Sequence, residues 1–308
     1  MDETDAPDPS DRRPVREGRH EHRRVAAGRQ LRTIEQGRSD APVAIAFHGL
    51  PGSAEDWNRL SDTLAEDFRF VAVDRIGYGK TGGEALSVPE QVAIYTDLIE
   101  RLARRTGPVL LLGHSYGAVV AASLAARRPD LVGALGLLAP ALREERSDRQ
   151  PPPGTEAIER FLARPAVWSF VKSTILSDVG RGMIARFADP MAFAPDPVDE
   201  EHLAGVRDRT LQPEALRSYL AEAKMLSRDA AAVDGQLGTI LTPSAVIHAR
   251  GDRVVRLEAG HRTARSIPRC AMHEIDGGHM LTVSRVGHVT LLLRALAVSA
   301  GLLKESAA

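Results

Sequence analysis

The run Leu110-Leu111-Leu112-Gly113-His114-Ser115-Tyr116-Gly117-Ala118 sets a serine between two glycines, after an apolar stretch and before one with helical spacing. This is a G-x-S-x-G pattern in the strand-to-helix context that a nucleophile elbow needs. The glycines leave room for strand and helix to approach closely around a strained turn. The helix that follows points its N-terminal N–H groups at the reacting centre. A serine hydroxyl is a weak nucleophile at neutral pH, so Ser115 requires a base held in place by a third group. For a serine on this kind of turn, the acid and then the histidine follow downstream. Asp252, in Gly251-Asp252-Arg253, comes directly after the apolar run Ala245 to His248. His279, in Asp276-Gly277-Gly278-His279, comes after the run Ala271 to Ile275. The two glycines before His279 predict a flexible turn that swings it toward Ser115. Asp276 competes with Asp252 as the acid, but only three residues from His279 it is better suited to shaping the turn. His273, within a strand, and His288, within the last helix, read as packed or surface residues, and His248 and His261 also precede the last strand.

Acyl transfer at Ser115 would also need donors for the developing oxyanion. Phe47-His48-Gly49-Leu50-Pro51-Gly52 follows the apolar run Val43 to Phe47. The expected donors are the backbone amides of Leu50, in this loop, and of Tyr116, next to the serine. His48 reads as a structural histidine that braces the loop.

These residues need a scaffold. Apolar runs at Val43 to Phe47, Phe70 to Val73, Val109 to Leu112, Ala134 to Leu138, Ala245 to His248 and Ala271 to Ile275 suit strands buried on both faces of a parallel sheet. Amphipathic stretches lie between them at Ser53 to Ala65, Ser87 to Arg105 and Ala118 to Arg127, and another runs from Arg285 to Ala300. Strand and helix alternate, which predicts right-handed crossovers and a doubly wound sheet. Arg24 to Gln36 alternates polar and apolar residues around Gly28, as a hairpin on the sheet edge would. Residues 1–24 carry almost no large apolar side chain and are expected to form a disordered tail. The alternation breaks between Pro140 and Thr242, a proline-rich, helical-patterned insertion that holds Phe161, Trp168, Phe170, Phe187 and Phe193. These aromatics suit either an apolar lid or that segment's own small core, and Trp168 and Phe170 are the expected substrate contacts.

Composition excludes several classes. The 40 basic and 41 acidic residues nearly cancel, which leaves no global field to gather nucleic acid or an anionic membrane. The expected partner is a small acyl substrate, and composition says nothing of oligomeric state. No apolar stretch reaches the 18 to 20 residues, roughly, that span a bilayer, and the first residues, Met1-Asp2-Glu3-Thr4-Asp5, carry no apolar h-region. A cytoplasmic protein is expected. The single cysteine, Cys270, rules out an internal disulfide and a multi-cysteine metal site, and is expected to be a buried filler. Gly79-Lys80-Thr81 ends like a phosphate-binding loop, but Asp74 stands where the first glycine is required. No dinucleotide fingerprint or metal-ligand spacing occurs, so neither cofactor nor metal is expected.

The ordered set His48-Gly49-Leu50-Pro51-Gly52, Asp74-Arg75-Ile76-Gly77-Tyr78-Gly79, Gly113-His114-Ser115-Tyr116-Gly117, Gly251-Asp252 and Gly278-His279 resembles the α/β-hydrolase superfamily of esterases, haloperoxidase-like perhydrolases, carbon-carbon bond hydrolases and proline iminopeptidases. The resemblance spans about residues 25 to 300. It implies an α/β-hydrolase fold, a mostly parallel doubly wound sheet with a core of residues 25–139 and 243–303, and it implies that residues 140–242 form a helical cap. Ser115 stands where dehalogenases and epoxide hydrolases of the superfamily carry aspartate, so an alkyl-enzyme route is disfavoured. Leu50-Pro51 replaces the later glycines of the His-Gly-Gly-Gly loop found in one lipase branch. The expected activity is hydrolysis of a small carboxylic ester, lactone or thioester through an acyl-enzyme on Ser115. An acyltransferase, perhydrolase or carbon-carbon bond hydrolase shares the same triad, and a ligand-binding receptor retaining the fold is the rival from another class.

Overall fold

A computed structural model describes residues 18–143, 169, 173–174, 177, 190–204 and 212–304. Among these residues the backbone forms an eight-stranded sheet: β1 (His20–Ala26), β2 (Arg29–Gln36), β3 (Val43–Phe47), β4 (Arg69–Val73), β5 (Val109–His114), β6 (Val132–Leu138), β7 (Ser244–Ala249) and β8 (Cys270–Ile275). The spatial order is β1-β2-β4-β3-β5-β6-β7-β8. β1 and β2 form the expected antiparallel hairpin, β2 pairs antiparallel with β4, and every later pairing is parallel.

Side chains of β5 alternate between the two sides of the sheet, as pleating requires. Val109 and Leu111 enter one apolar cluster, and Leu110 and Leu112 enter the other. Helices α2 (Val88–Ala103), α3 (Tyr116–Arg127) and α5 (Leu257–Ser266) cover the first side; α1 (Asn58–Leu64) and α6 (Val286–Ser299) cover the second. Helix α4 (Pro213–Asp234) belongs to the insertion, and the described residues between 140 and 242 include helix and no strand. The capping box of α2, in which Ser87 N–H donates to Glu90 at 2.9 Å, explains why the helix starts where it does.

One boundary and one burial differ from expectation. Residues 20–24 lie in β1 rather than in a tail. An exposed edge strand is held by its backbone ladder and by charges, here Glu21 with Arg32 and Lys80, and needs no apolar run. Cys270 is half-buried because it opens β8, the far edge of the sheet.

The strand order positions the chemistry. From β3 the chain moves outward to β4, then returns to place β5 on the other side of β3, so the two connections diverge at a topological switch point. Phe47 and Gly113 are register partners across β3 and β5, which brings the loop after Phe47 level with Ser115. The first turn of α3 is pressed onto that loop. A Cβ added at Gly117 would stand 2.6 Å from the His48 carbonyl oxygen and closer still to that of Phe47. Backbone cannot yield as a flexible side chain can, so Gly117→Ala is expected to cost at least about 2 kcal/mol. That loss should lower the thermal midpoint by roughly 4 °C or more, and an unchanged melting curve would contradict this packing.

Candidate active site

Ser115 links β5 to α3 at φ 54° and ψ −118°, a left-handed conformation that L-residues adopt at a cost. The elbow is tied down on both sides. Ser115 N–H donates to Leu138 O on β6 at 2.9 Å, while its carbonyl accepts from Ala118 at 3.1 Å and Ala141 at 3.2 Å. At Gly113 a Cβ would lie 2.5 Å from the Gly117 oxygen, so the tight strand-to-helix turn excludes a side chain there. Ser115 is 7% exposed, at the C-terminal edge of the sheet.

Asp252 and His279 meet at this edge. His279 Nδ1–H donates to Asp252 Oδ2 at 2.8 Å. The other carboxylate oxygen accepts the N–H groups of Val254 at 2.8 Å and Val255 at 2.9 Å. His248 Nε2 lies 3.2 Å from Oδ2 and 2.9 Å from the Val255 carbonyl. A carbonyl can only accept, so this nitrogen carries a proton and donates to both. Burial works against charge on Asp252, but the hydrogen bonds from His248 and His279 outweigh it and hold the carboxyl well below the usual range. Asp276 points into solvent, where it accepts from Arg250 at 2.9 Å. The carboxylate beside His279 is therefore that of Asp252.

His279 is held against His114, the last residue of β5 and the neighbour of Ser115. His114 Nε2–H donates to the His279 carbonyl at 2.9 Å, and the two rings lie 4.7 Å apart. Burial, with the nearby His279 second, pushes the His114 imidazole down to about 3, so it stays neutral. The turn before His279 is less free than its glycines suggest. Gly277 adopts φ 134°, and a Cβ at Gly278 would come within 2.5 Å of the Ala194 carbonyl. Gly278 N–H donates to Asp196 at 3.2 Å, Met280 N–H donates to Ala192 O at 3.2 Å, and Arg285 pairs with Asp196. The glycines thus admit a segment of the insertion that clamps the turn. Phe193 is buried there with Leu203 and Val283, in a small core of its own. Trp168 and Phe170, the expected substrate contacts, lie outside the described residues, as do Phe161 and Phe187.

On the other side of Ser115, a Cβ at Gly49 would lie 3.1 Å from Ser115 Cβ, so the loop carrying Leu50 runs directly past the elbow. His48 is buried and braces that loop as expected. Its Nε2 accepts the Arg75 N–H at 3.0 Å and its Nδ1–H donates to Gly49 O at 2.9 Å. Burial, reinforced by Arg75, holds His48 far below its ordinary value and therefore neutral. Asp74 organises the neighbouring turn through Ala54 N–H at 2.7 Å and Lys80 N–H at 2.8 Å, which gives Gly79-Lys80-Thr81 a structural role.

A buried polar network behind this loop escaped the sequence reading. The Arg75 guanidinium, which has no exposed surface, donates to His48 O at 3.0 Å, Gly49 O at 2.9 Å, Gln91 at 3.3 Å and both oxygens of Glu222 at 2.7 and 3.1 Å. Tyr78 and Gln91 also donate to Glu222, at 2.8 and 2.9 Å. Arg75 was visible only as part of a motif, and Glu222 lies 147 residues farther along the chain, where spacing carries no signal.

Among the described residues no group of three or more His, Cys, Asp or Glu side chains is arranged to hold a metal ion, and no helix is long and apolar enough to cross a membrane. A groove of about 340 Å³, lined by Ser244, Ala271, His273 and Leu292 among others, lies toward the starting ends of β7 and β8, away from Ser115.

Asp252 makes a pH prediction. Its carboxyl is depressed in the folded state, and the unfolded chain titrates near about 4. Its stabilising contribution is therefore present above that value and lost as pH falls through the folded one. In urea titrations, the stability gap between wild type and Asp252→Asn should narrow from pH 6 to pH 3. A gap independent of pH would remove the carboxylate from this account.

Known proteins carry the same frame. The α/β hydrolase family model matches residues 44–298. The chain is 29% identical over 254 residues to RutD of Rhizobium rhizogenes, named as a candidate carbamate hydrolase, covering 80% of this chain and 88% of that one. The haloalkane dehalogenase DbeA from Bradyrhizobium elkani superposes with a TM-score of 0.72 at 23% identity, covering 92% of this chain and 100% of the other. The enol-lactonase from Burkholderia xenovorans LB400 gives 0.72 at 19% identity, covering 90% and 100%. At such identities the two structures speak for the fold alone. With the family model covering most of its length, this chain belongs to the α/β hydrolase family.

Proposed function

We propose that the chain is a serine hydrolase that cleaves a small carboxylic ester, lactone or thioester through an acyl-enzyme on Ser115. One observation carries this reading: His279, hydrogen-bonded to the buried Asp252 carboxylate, is fixed against the strained turn that holds Ser115. Ser115 Oγ attacks the carbonyl carbon while His279 Nε2 takes its proton, and the collapsing intermediate expels the leaving group, which receives that proton. Water then enters by the same route in reverse and releases the acid. Asp252 holds the imidazole with its proton on Nδ1, leaving Nε2 as the base. The oxyanion is held by the Leu50 and Tyr116 amides. Tyr116 opens α3, so its N–H is one of the donors that a helix start leaves without an internal partner.

The insertion, residues 140–242, acts in this reading as a helical cap. Its helix α4 packs on the site through Ser218 against Gly77 and Glu222 against Arg75. RutD is named as a candidate carbamate hydrolase, which supports acyl chemistry over alkyl transfer. The test is labelling with a fluorophosphonate followed by peptide mapping. Label on Ser115 of the folded protein is expected, together with turnover of p-nitrophenyl acetate, and its absence would overturn the assignment.

A further inference from the structure

We propose that Arg75, anchored by Glu222 of the insertion helix α4, is the positioning residue that orients the oxyanion-binding amide of Leu50 and couples the insertion to catalysis. The inference rests on the serine-hydrolase reading and adds to it a residue outside the triad.

The geometry begins with the peptide plane. In a trans peptide the C=O and N–H point in opposite directions, so fixing one fixes the other. Arg75 Nη2 donates to Gly49 O at 2.9 Å, and His48 Nδ1–H donates to the same oxygen. That pins the Gly49–Leu50 plane with its carbonyl toward the guanidinium and the Leu50 N–H facing the other way. Arg75 Nε donates to His48 O at 3.0 Å and sets the preceding plane in the same manner. Two consecutive peptides of the loop beside Ser115 are therefore both held by one guanidinium, with His48 as a second donor at the Gly49 carbonyl. The guanidinium also touches the side chain of Tyr116, whose ring lies 4.7 Å from the guanidinium carbon, with the Tyr78 ring at 4.8 Å.

All five guanidinium N–H groups are engaged, two of them by Glu222 and one by Gln91. Both ends of the ion pair have no exposed side-chain surface. A fully buried pair is weak evidence for stability, since well-packed apolar residues often serve a fold as well or better. What apolar residues cannot do is hold two backbone carbonyls away from the substrate. Without the guanidinium His48 alone holds the Gly49 carbonyl, and glycine lets that peptide turn over more readily. A turned peptide would present oxygen, not N–H, to the developing negative charge. Glu222 lies on α4, so this orientation also depends on the insertion being docked.

The test compares wild type, Glu222→Gln and the double variant Arg75→Met with Glu222→Met. The double variant removes the charges together and leaves neither stranded. Thermal melting, kcat and KM for p-nitrophenyl acetate, and the rate of fluorophosphonate labelling at Ser115 are measured on each. The double variant should melt within a few degrees of wild type, lose roughly 10²- to 10³-fold in kcat, keep KM within about threefold, and label more slowly in parallel. Glu222→Gln, which still offers Arg75 one acceptor, should fall between them. A folded double variant with kcat within about threefold of wild type would overturn the inference. If the double variant does not fold, wild-type kcat in Glu222→Gln does so instead. A wild type that is not labelled at Ser115 overturns the serine-hydrolase reading and this inference together, whereas a labelled, active wild type with unaffected variants overturns only the role of Arg75.

Discussion

Ser115→Ala is expected to reduce kcat for p-nitrophenyl acetate by about 10⁴- to 10⁶-fold, with the thermal midpoint nearly unchanged. The substitution removes the attacking oxygen and nothing that holds the elbow. The bonds that fix this turn, from Ser115 N–H to Leu138 and from Ala118 and Ala141 to the Ser115 carbonyl, are made by backbone. Alanine meets the same cost at φ 54° that serine already bears. Any residual rate reports the oxyanion donors acting on water, and fluorophosphonate labelling should disappear along with turnover. Unchanged turnover in the alanine variant would sink Ser115 as the nucleophile, whatever the fold.

Asp252→Asn should come close to this in effect, at roughly 10³- to 10⁴-fold in kcat, and the structure supplies the reason. Oδ1 accepts two backbone N–H groups, from Val254 and Val255, so a carboxamide must place its oxygen there. Its NH₂ then occupies the Oδ2 position, facing His279 Nδ1 and the protonated His248 Nε2. An amide nitrogen cannot accept the proton of His279 Nδ1. The imidazole is driven to the tautomer protonated at Nε2, which cannot take a proton from serine. The control is Asp276→Asn, which alters a solvent-facing carboxylate bonded to Arg250 and should leave kcat within about twofold. If the two substitutions exchanged effects, the acid would be Asp276.

The contrast between these two aspartates marks what was legible from residue order. Both follow strand ends and both precede His279, and residue order favours Asp252 only because Asp276, three residues from the histidine, is better suited to shaping the turn. Burial and hydrogen-bond partners decide between them. His248 could not be singled out either: in one dimension it is a histidine at the end of an apolar run. Its place beside Asp252 depends on how the chain turns after β7. The same holds for the turn at Gly277-Gly278, where the glycines read as freedom and the fold uses them for the close approach of residues 193–194.

The sequence by itself determined the strands of the parallel core, because continuous apolar runs bounded by glycine and polar residues have one economical place, a sheet covered on both sides. It also determined the Ser115 elbow and the order of the partners after it, because strand-turn-helix context is local. Tertiary structure alone decided that Asp252 faces His279, that His114 and residues 190–196 hold that histidine in place, and that Arg75 reaches Glu222 across 147 residues to engage the carbonyls beside Leu50. These are contacts between elements distant in the chain, set by the strand order at the switch point and by where the insertion docks, and spacing along one strand or helix does not encode them.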